Sequence, residues 1–143
     1  MLSDLAKVHT GFGIIPAVAN GHNEFVWGQP GNTKLVDMAP TWFSKKLTAR
    51  DTIVAREENH YWKWVVSEFS KFGMGFQRFE AEWWVWERSP RSIEVVYRYT
   101  NYAHSAFYPF HWMITKTIWR AYMRHVLQNV KRLAEGDEPF FFN

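Results

Sequence analysis

Two periodicities divide the chain. In its middle, apolar and polar residues alternate; towards its end, apolar residues recur every three to four positions. Across Tyr61–Val66, Trp62, Trp64 and Val66 share one side while Tyr61 and Lys63 share the other, the period of a half-buried strand. The lysine marks its own side as outward, so the Trp62–Trp64 side is expected to face the interior. Arg78–Trp86 and Ile93–Tyr102 carry similar β-rich runs on either side of Ser89-Pro90, which predicts a hairpin. Earlier elements are shorter. Ser3–Val8 reads as a short helix with Ser3 as its N-cap, and Ile14–Trp27 as extended chain interrupted near Asn20-Gly21. After a turn at Gln29-Pro30-Gly31-Asn32, strands are expected over Lys34–Met38, Trp42–Arg50 and Thr52–Ala55. The segment Lys71–Gly75 ends the aromatic run that began at His60.

The last element has the strongest pattern. Pro109 suits a first helical turn and Gly136 a stop. A projection at 100° per residue sets Ile114, Ile118, Trp119, Tyr122, Val126, Val130 and Leu133 on one face. Lys116, Arg120, Arg124, Gln128 and Lys131 fall on the other, which reads as a solvated surface; a nucleic-acid or acidic-lipid role is the less favoured reading. Such a helix is roughly 40 Å long at its rise per residue. That exceeds the width of a small sheet, so the sheet is expected to curve around it. Hairpins followed by one terminal helix imply an α+β fold, an antiparallel sheet with the helix laid across it. No repeat or linker divides residues 1–143, so one domain is expected.

Composition changes this picture in one respect. Aromatic residues make up 19% of the chain, with nine Trp, more ring than packing alone calls for. The excess points to a ligand cavity or an interface, or to rings that simply fill the core. The chain has no Cys, which excludes disulfides and thiolate metal sites and fits a reducing, cytoplasmic compartment. Neither a secretory leader nor an apolar run long enough to span a bilayer is visible. Lys and Arg are interspersed with acids except on the last helix, so the net charge of +3 makes a weak case for nucleic acid and no such partner is expected.

Candidate chemistry sits on the apolar arc of the helix. His111, Thr115, His125 and Asn129 project towards the buried side, with Tyr122 among them. Leaving a buried polar group unpaired costs about 1–3 kcal/mol, so each needs a partner. His111 and Thr115, four apart, stand one above the other and with Tyr122 are placed to orient a ligand carbonyl or hydroxyl. His111 is also the one weak candidate for general acid–base catalysis; the alternative is a satisfied structural histidine. His spacings match no metal motif, and no phosphate loop or nucleophile elbow occurs. No metal or cofactor is therefore expected.

Scattered motifs occur in a telling order. Pro16-Ala17-Val18 precedes Trp27-Gly28-Gln29-Pro30-Gly31; Trp62-x-Trp64 is followed by Trp84-x-Trp86 and Val95-x-Tyr97-x-Tyr99; Trp119-Arg120-Ala121-Tyr122-Met123 runs into Asn129-Val130-Lys131-Arg132-Leu133. This order resembles the START/Bet v 1-like helix-grip superfamily, in its polyketide cyclase/dehydrase and lipid-transport-like branch. The resemblance implies a curved antiparallel sheet gripping the C-terminal helix around an apolar pocket. Alternation alone leaves open whether Trp83 and Val85 or Trp84 and Trp86 face that pocket; the family pattern favours Trp84 and Trp86, with Val95, Tyr97 and Tyr99 opposite. The expected ligand-binding set is thus Trp62, Trp64, Trp84, Trp86, Tyr97, Tyr99, His111, Thr115, Ile118 and Tyr122. The expected partner is a small hydrophobic, lipid-like, aromatic or polyketide-like molecule, held either for binding or for cyclase/dehydrase-like chemistry.

Two departures qualify the resemblance. The family opens with a strand and a helix that have no counterpart before Leu2, and Lys46 stands before Leu47-Thr48 where an acid is common. A shortened sheet has an open edge, which predicts a homodimer through that edge or a covering role for Phe140-Phe141-Phe142. A protein-interaction module is the third functional reading.

Overall fold

A computed structural model describes residues 8–23, 28–40, 47–70 and 75–136. Six strands follow one another: β1 (Val18–Asn23), β2 (Thr33–Met38), β3 (Leu47–Glu57), β4 (Tyr61–Ser67), β5 (Phe76–Ser89) and β6 (Ser92–Ala103). Each pairs antiparallel with the next, so the sheet is a meander in the order β1-β2-β3-β4-β5-β6. Its edges among the described residues are β1 and β6. The first strand therefore lies inside the extended stretch Ile14–Trp27, and Asn20-Gly21 continues it instead of turning it. The expected strands at Trp42–Arg50 and Thr52–Ala55 are one element, β3, in its described part. Residues 1–7, 41–46 and 137–143 lie outside the description, and with them most of the Ser3–Val8 helix, Lys46 and the Phe140–Phe142 tail.

Curvature comes from irregular pairing. Register shifts interrupt β3 between Ile53 and Ala55, and β5 near both of its ends. Each inserts a residue, bends the strand and increases its twist. The turn before β2 depends on Gly28, whose φ is +129°; a Cβ there would lie 2.5 Å from Arg56 Nη1, which donates to the Gly28 carbonyl at 2.7 Å.

After β6 the chain enters a single 3₁₀ turn and then a long helix in three parts: α1 (Tyr108–Ile114), a wide π turn (Thr115–Trp119) and α2 (Arg120–Glu135), ending at Gly136. Its inward residues include Ile114, Trp119, Tyr122, Val126 and Val130. Trp119, Tyr122, Val126 and Val130 close a core with Ala49, Trp64, Val66, Phe79, Ala81 and Trp83 from the sheet, and with Val8 and Ile15 from the segment ahead of β1. Across the strands Trp64, Ala81 and Tyr99 stand in one row, and Trp62, Trp83 and Tyr97 in the next. A small residue between two rings lets the sheet wrap closely.

The register of β5 corrects one expectation. Phe79, Ala81 and Trp83 are buried on the inner face, so Trp84 and Trp86 point to the outer one. There Trp84 lies 5.4 Å from the Tyr61 ring and beneath the Arg98 guanidinium, and Trp86 meets His60 edge-on at 6.2 Å. The reason lies in the neighbours: Arg78, Glu80 and Glu82 share the parity of Trp84 and Trp86 and hold that side towards water.

Candidate functional site

A cavity of about 80 Å³ lies between the helix and strands β1 to β6. Val36, Asp51, Trp64, Val66, Phe79 and Tyr99 form its sheet side, Trp119 and Tyr122 its helical side, and His9, Ile15 and Pro16 its third wall. The volume is about half that of a cavity known to hold benzene, and holds two or three waters or a small ligand fragment. Met38 and Phe69, both partly buried, border it.

The helical wall owes its shape to the π turn. Ile114 and Trp119, which a regular helix would set at the two margins of its inner face, are both buried, and the wide turn between them brings those margins closer together. Thr117 Oγ1 donates to the Met113 carbonyl at 2.7 Å within this stretch, a bond that bends helices. Trp119 is thereby set against Phe79 and Tyr99, each at 5.1 Å, and against Tyr122 at 5.5 Å.

Four polar side chains interrupt the apolar lining: Asp51, His9, Tyr99 and Tyr122. Along β3 the inward positions are Ala49, Asp51 and Ile53, so a carboxyl occupies a core position. Asp51 is 1% exposed, and its Oδ2 has no hydrogen-bond partner among the described residues. Burial pushes this carboxyl up from an ordinary 3.8 to about 7; Lys34, its cross-strand neighbour, opposes the rise with a smaller effect. His9 is buried, and its Nδ1 hydrogen-bonds the Tyr122 hydroxyl at 2.5 Å. Burial lowers the imidazole from 6.5 to about 4, so the ring is neutral at neutral pH. The Tyr97, Tyr99 and Tyr122 phenols are pushed upwards, again by burial foremost, and stay protonated. The site thus offers one carboxyl that titrates near neutrality and one fixed His–Tyr pair.

Of the expected set, Trp64, Tyr99 and Tyr122 border the cavity. Tyr97 stacks on Trp83 at 4.1 Å in the filled part of the interior, and Trp62 lies on the inner face under the Arg56 guanidinium. Ile118 packs against the core. His111 is buried but sits edge-on to Phe76 at 4.1 Å, outside the cavity wall. Thr115 accepts from Asn101 Nδ2 at 3.3 Å. The structure thus does not bring His111 and Thr115 into one space with Tyr122. The other two polar residues of the arc do find partners: Asn129 Nδ2 donates to the Val8 carbonyl at 3.1 Å, and His125 Nε2 meets Thr10 Oγ1 at 2.9 Å. Among the described residues no three His, Asp or Glu side chains converge on a metal position.

Asp51, Trp119 and His9 were absent from the expected set. Asp51 was detectable, because an acid between Ala49 and Ile53 breaks an inward alternation. Trp119 lay on the projected inner face. His9 follows from no local pattern, since only the long-range packing of its segment brings it to Tyr122.

No family model and no curated protein matches the chain. Among solved structures it is similar to the crystal structure of Ara h 8.0201, a Bet v 1-family allergen, with 14% identity, a TM-score of 0.50, and coverage of 78% of this chain and 76% of that one. Likeness at this identity concerns architecture and leaves function to the site. With its curled antiparallel sheet closed by one C-terminal helix, the chain has the α+β helix-grip fold of Bet v 1 homologues.

Proposed function

We propose that this protein binds a small hydrophobic molecule bearing a hydroxyl group, with the apolar body against Trp64, Phe79 and Trp119 and the hydroxyl on Asp51. The observation that carries this reading is the buried Asp51 Oδ2, which borders an apolar cavity with no hydrogen-bond partner among the described residues. A buried acceptor gains most from a ligand that supplies the missing donor. A hydroxyl both donates and accepts, so it suits the ionised and the protonated carboxyl alike.

Phenol, benzene and benzoate test this in solution, followed by the emission of Trp64 and Trp119 and by heteronuclear NMR. Phenol is expected to bind most tightly, benzene more weakly, and benzoate least because its charge meets a buried acid. Asp51→Leu should erase the preference of phenol over benzene. If none of the three perturbs the interior resonances, the binding function is wrong; equal binding of phenol and benzene would remove Asp51 from it.

A second reading, cyclase/dehydrase-like proton transfer in the same cavity, draws on a separate observation. Asp51 held near neutrality and a neutral His9 bonded to Tyr122 are two titratable centres pushed in opposite directions, the arrangement that acid–base catalysis uses. Turnover lost in Asp51→Asn with binding retained would select this reading.

A further inference from the structure

The start of the C-terminal helix exposes large apolar side chains where a monomeric surface would hide them. Tyr108 is 64% exposed, Phe110 50%, Trp112 56% and Met113 49%. They fall within six consecutive residues and together cover the outward side of the first two helical turns. Tyr108, Trp112, Lys116, Arg120 and Arg124 follow at intervals of four, all exposed, and trace a single stripe that is aromatic at its start and cationic beyond. Charge along this part of the chain is one-sided: no Asp or Glu occurs from Val95 to Ala134. The stripe is therefore not an ordinary mixed surface.

We propose that the exposed side of this helix docks the protein on an anionic lipid surface, with Phe110, Trp112 and Met113 of its aromatic start entering the headgroup boundary and Lys116 and Arg120 beyond it contacting the headgroups. Trp and Tyr favour such boundaries because one end of the ring is apolar and the other hydrogen-bonds water. A helix with an aromatic tip and a basic flank lies in the interface plane, anchored by apolar insertion and by attraction to negative lipid. Among the described residues no helix is long and apolar enough to cross a bilayer. Charge complementarity selects this occupant over a second copy of the chain, because two copies meeting here would bring like-charged stripes together.

Co-sedimentation with phosphatidylcholine vesicles and with mixed phosphatidylcholine–phosphatidylserine vesicles tests the proposal on the full chain. Binding is expected to the mixed vesicles, to weaken in high salt, and to shift tryptophan emission to the blue. Lys116→Glu with Arg120→Glu should weaken binding by more than about fivefold for each cation replaced. Phe110→Ser with Trp112→Ser should abolish the blue shift. These side chains are exposed, so the thermal midpoints of the variants should match that of the parent. The proposal is overturned if the parent ignores mixed vesicles, or if the paired serine variant binds them as well as the parent. It is equally overturned if the parent is a dimer in sedimentation velocity and the serine variant a monomer, since a second copy then occupies the patch.

Discussion

The two faces of strands β4 to β6 carry the same kinds of ring and use them in opposite ways. On the inner face Trp83 stacks on Tyr97 at 4.1 Å and 22°, and Trp64 continues the stack at 6.4 Å and 19°. Ring meets ring there. On the outer face two rings meet cations: the Arg98 guanidinium lies 4.8 Å from the Trp84 ring centre, and Arg78 lies 4.1 Å from that of Tyr102. Lys63 bridges to Glu80 at 3.2 Å, and Tyr61 donates to Glu82 at 2.9 Å. Aromatic identity thus says little about which side of a sheet a residue takes. The residues two positions away decide it, because a charge desolvated without a partner costs far more than an exposed ring.

If that contrast is energetic as well as geometric, its inner half should fail hardest. Trp83 is 2% exposed and touches rings on both neighbouring strands. Trp83→Ala is expected to cost about 3–5 kcal/mol, the range for deleting a buried large ring. Chemical denaturation measures it; a loss below about 1 kcal/mol would mean that the stack is loosely packed and the contrast spurious.

The cavity end of the inner face breaks the rule that charge stays outside, and two of its titratable groups, Asp51 and His9, oppose each other. Between an ordinary 3.8 and about 7, native Asp51 keeps a proton that the unfolded chain has released. Stability therefore falls as pH rises through that window. Between 6.5 and about 4, the unfolded chain takes up a proton that native His9 refuses, so stability falls as pH drops. From about pH 4 to 6.5 the two slopes cancel, and the profile of the parent protein should be nearly flat there. Asp51→Asn should expose the His9 slope of about 1.4 kcal/mol per pH unit, and His9→Gln the Asp51 slope of opposite sign. Near pH 8 the Asp51→Asn protein should be more stable than its parent by up to about 4 kcal/mol, with the difference vanishing near pH 4. Parallel profiles for parent and both variants would show that neither group is as buried as the geometry requires.

Much of the fold was legible because it rests on local pattern. The β5–β6 hairpin, the β4 alternation with Lys63 outward, and the buried arc of the helix all follow from short-range periodicity. The side taken by β5 was legible too, but only over a longer window: Trp83 to Trp86 alone are ambiguous, whereas Glu80 and Glu82 settle the parity. Asp51 yields to the same argument between Ala49 and Ile53. The π turn leaves no comparable mark, since Thr115–Trp119 reads as ordinary helix. That turn brings Trp119 to the cavity, while His111 stands one stage earlier against Phe76. His9 depends on packing across 113 residues of chain to Tyr122, which no periodicity encodes.

The outer half of the comparison should break most gently. Arg98 has a side chain 65% exposed, its Nη1 lies 3.8 Å from Glu82 Oε2, and its guanidinium caps Trp84. An exposed ion pair contributes about 0–1 kcal/mol because water screens it, and an exposed cation–π contact about 0.5–1 kcal/mol. Arg98→Ala is accordingly expected to lower stability by about 1 kcal/mol or less. The two contributions separate by salt and by pairing. High ionic strength should remove the Glu82 share and leave most of the Trp84 share. A double-mutant cycle with Trp84→Leu should then return a coupling of about 0.5 kcal/mol that salt barely changes. A coupling as large as the Trp83→Ala loss would mean that the outer rings are as desolvated as the inner ones, and that the two faces differ in geometry alone.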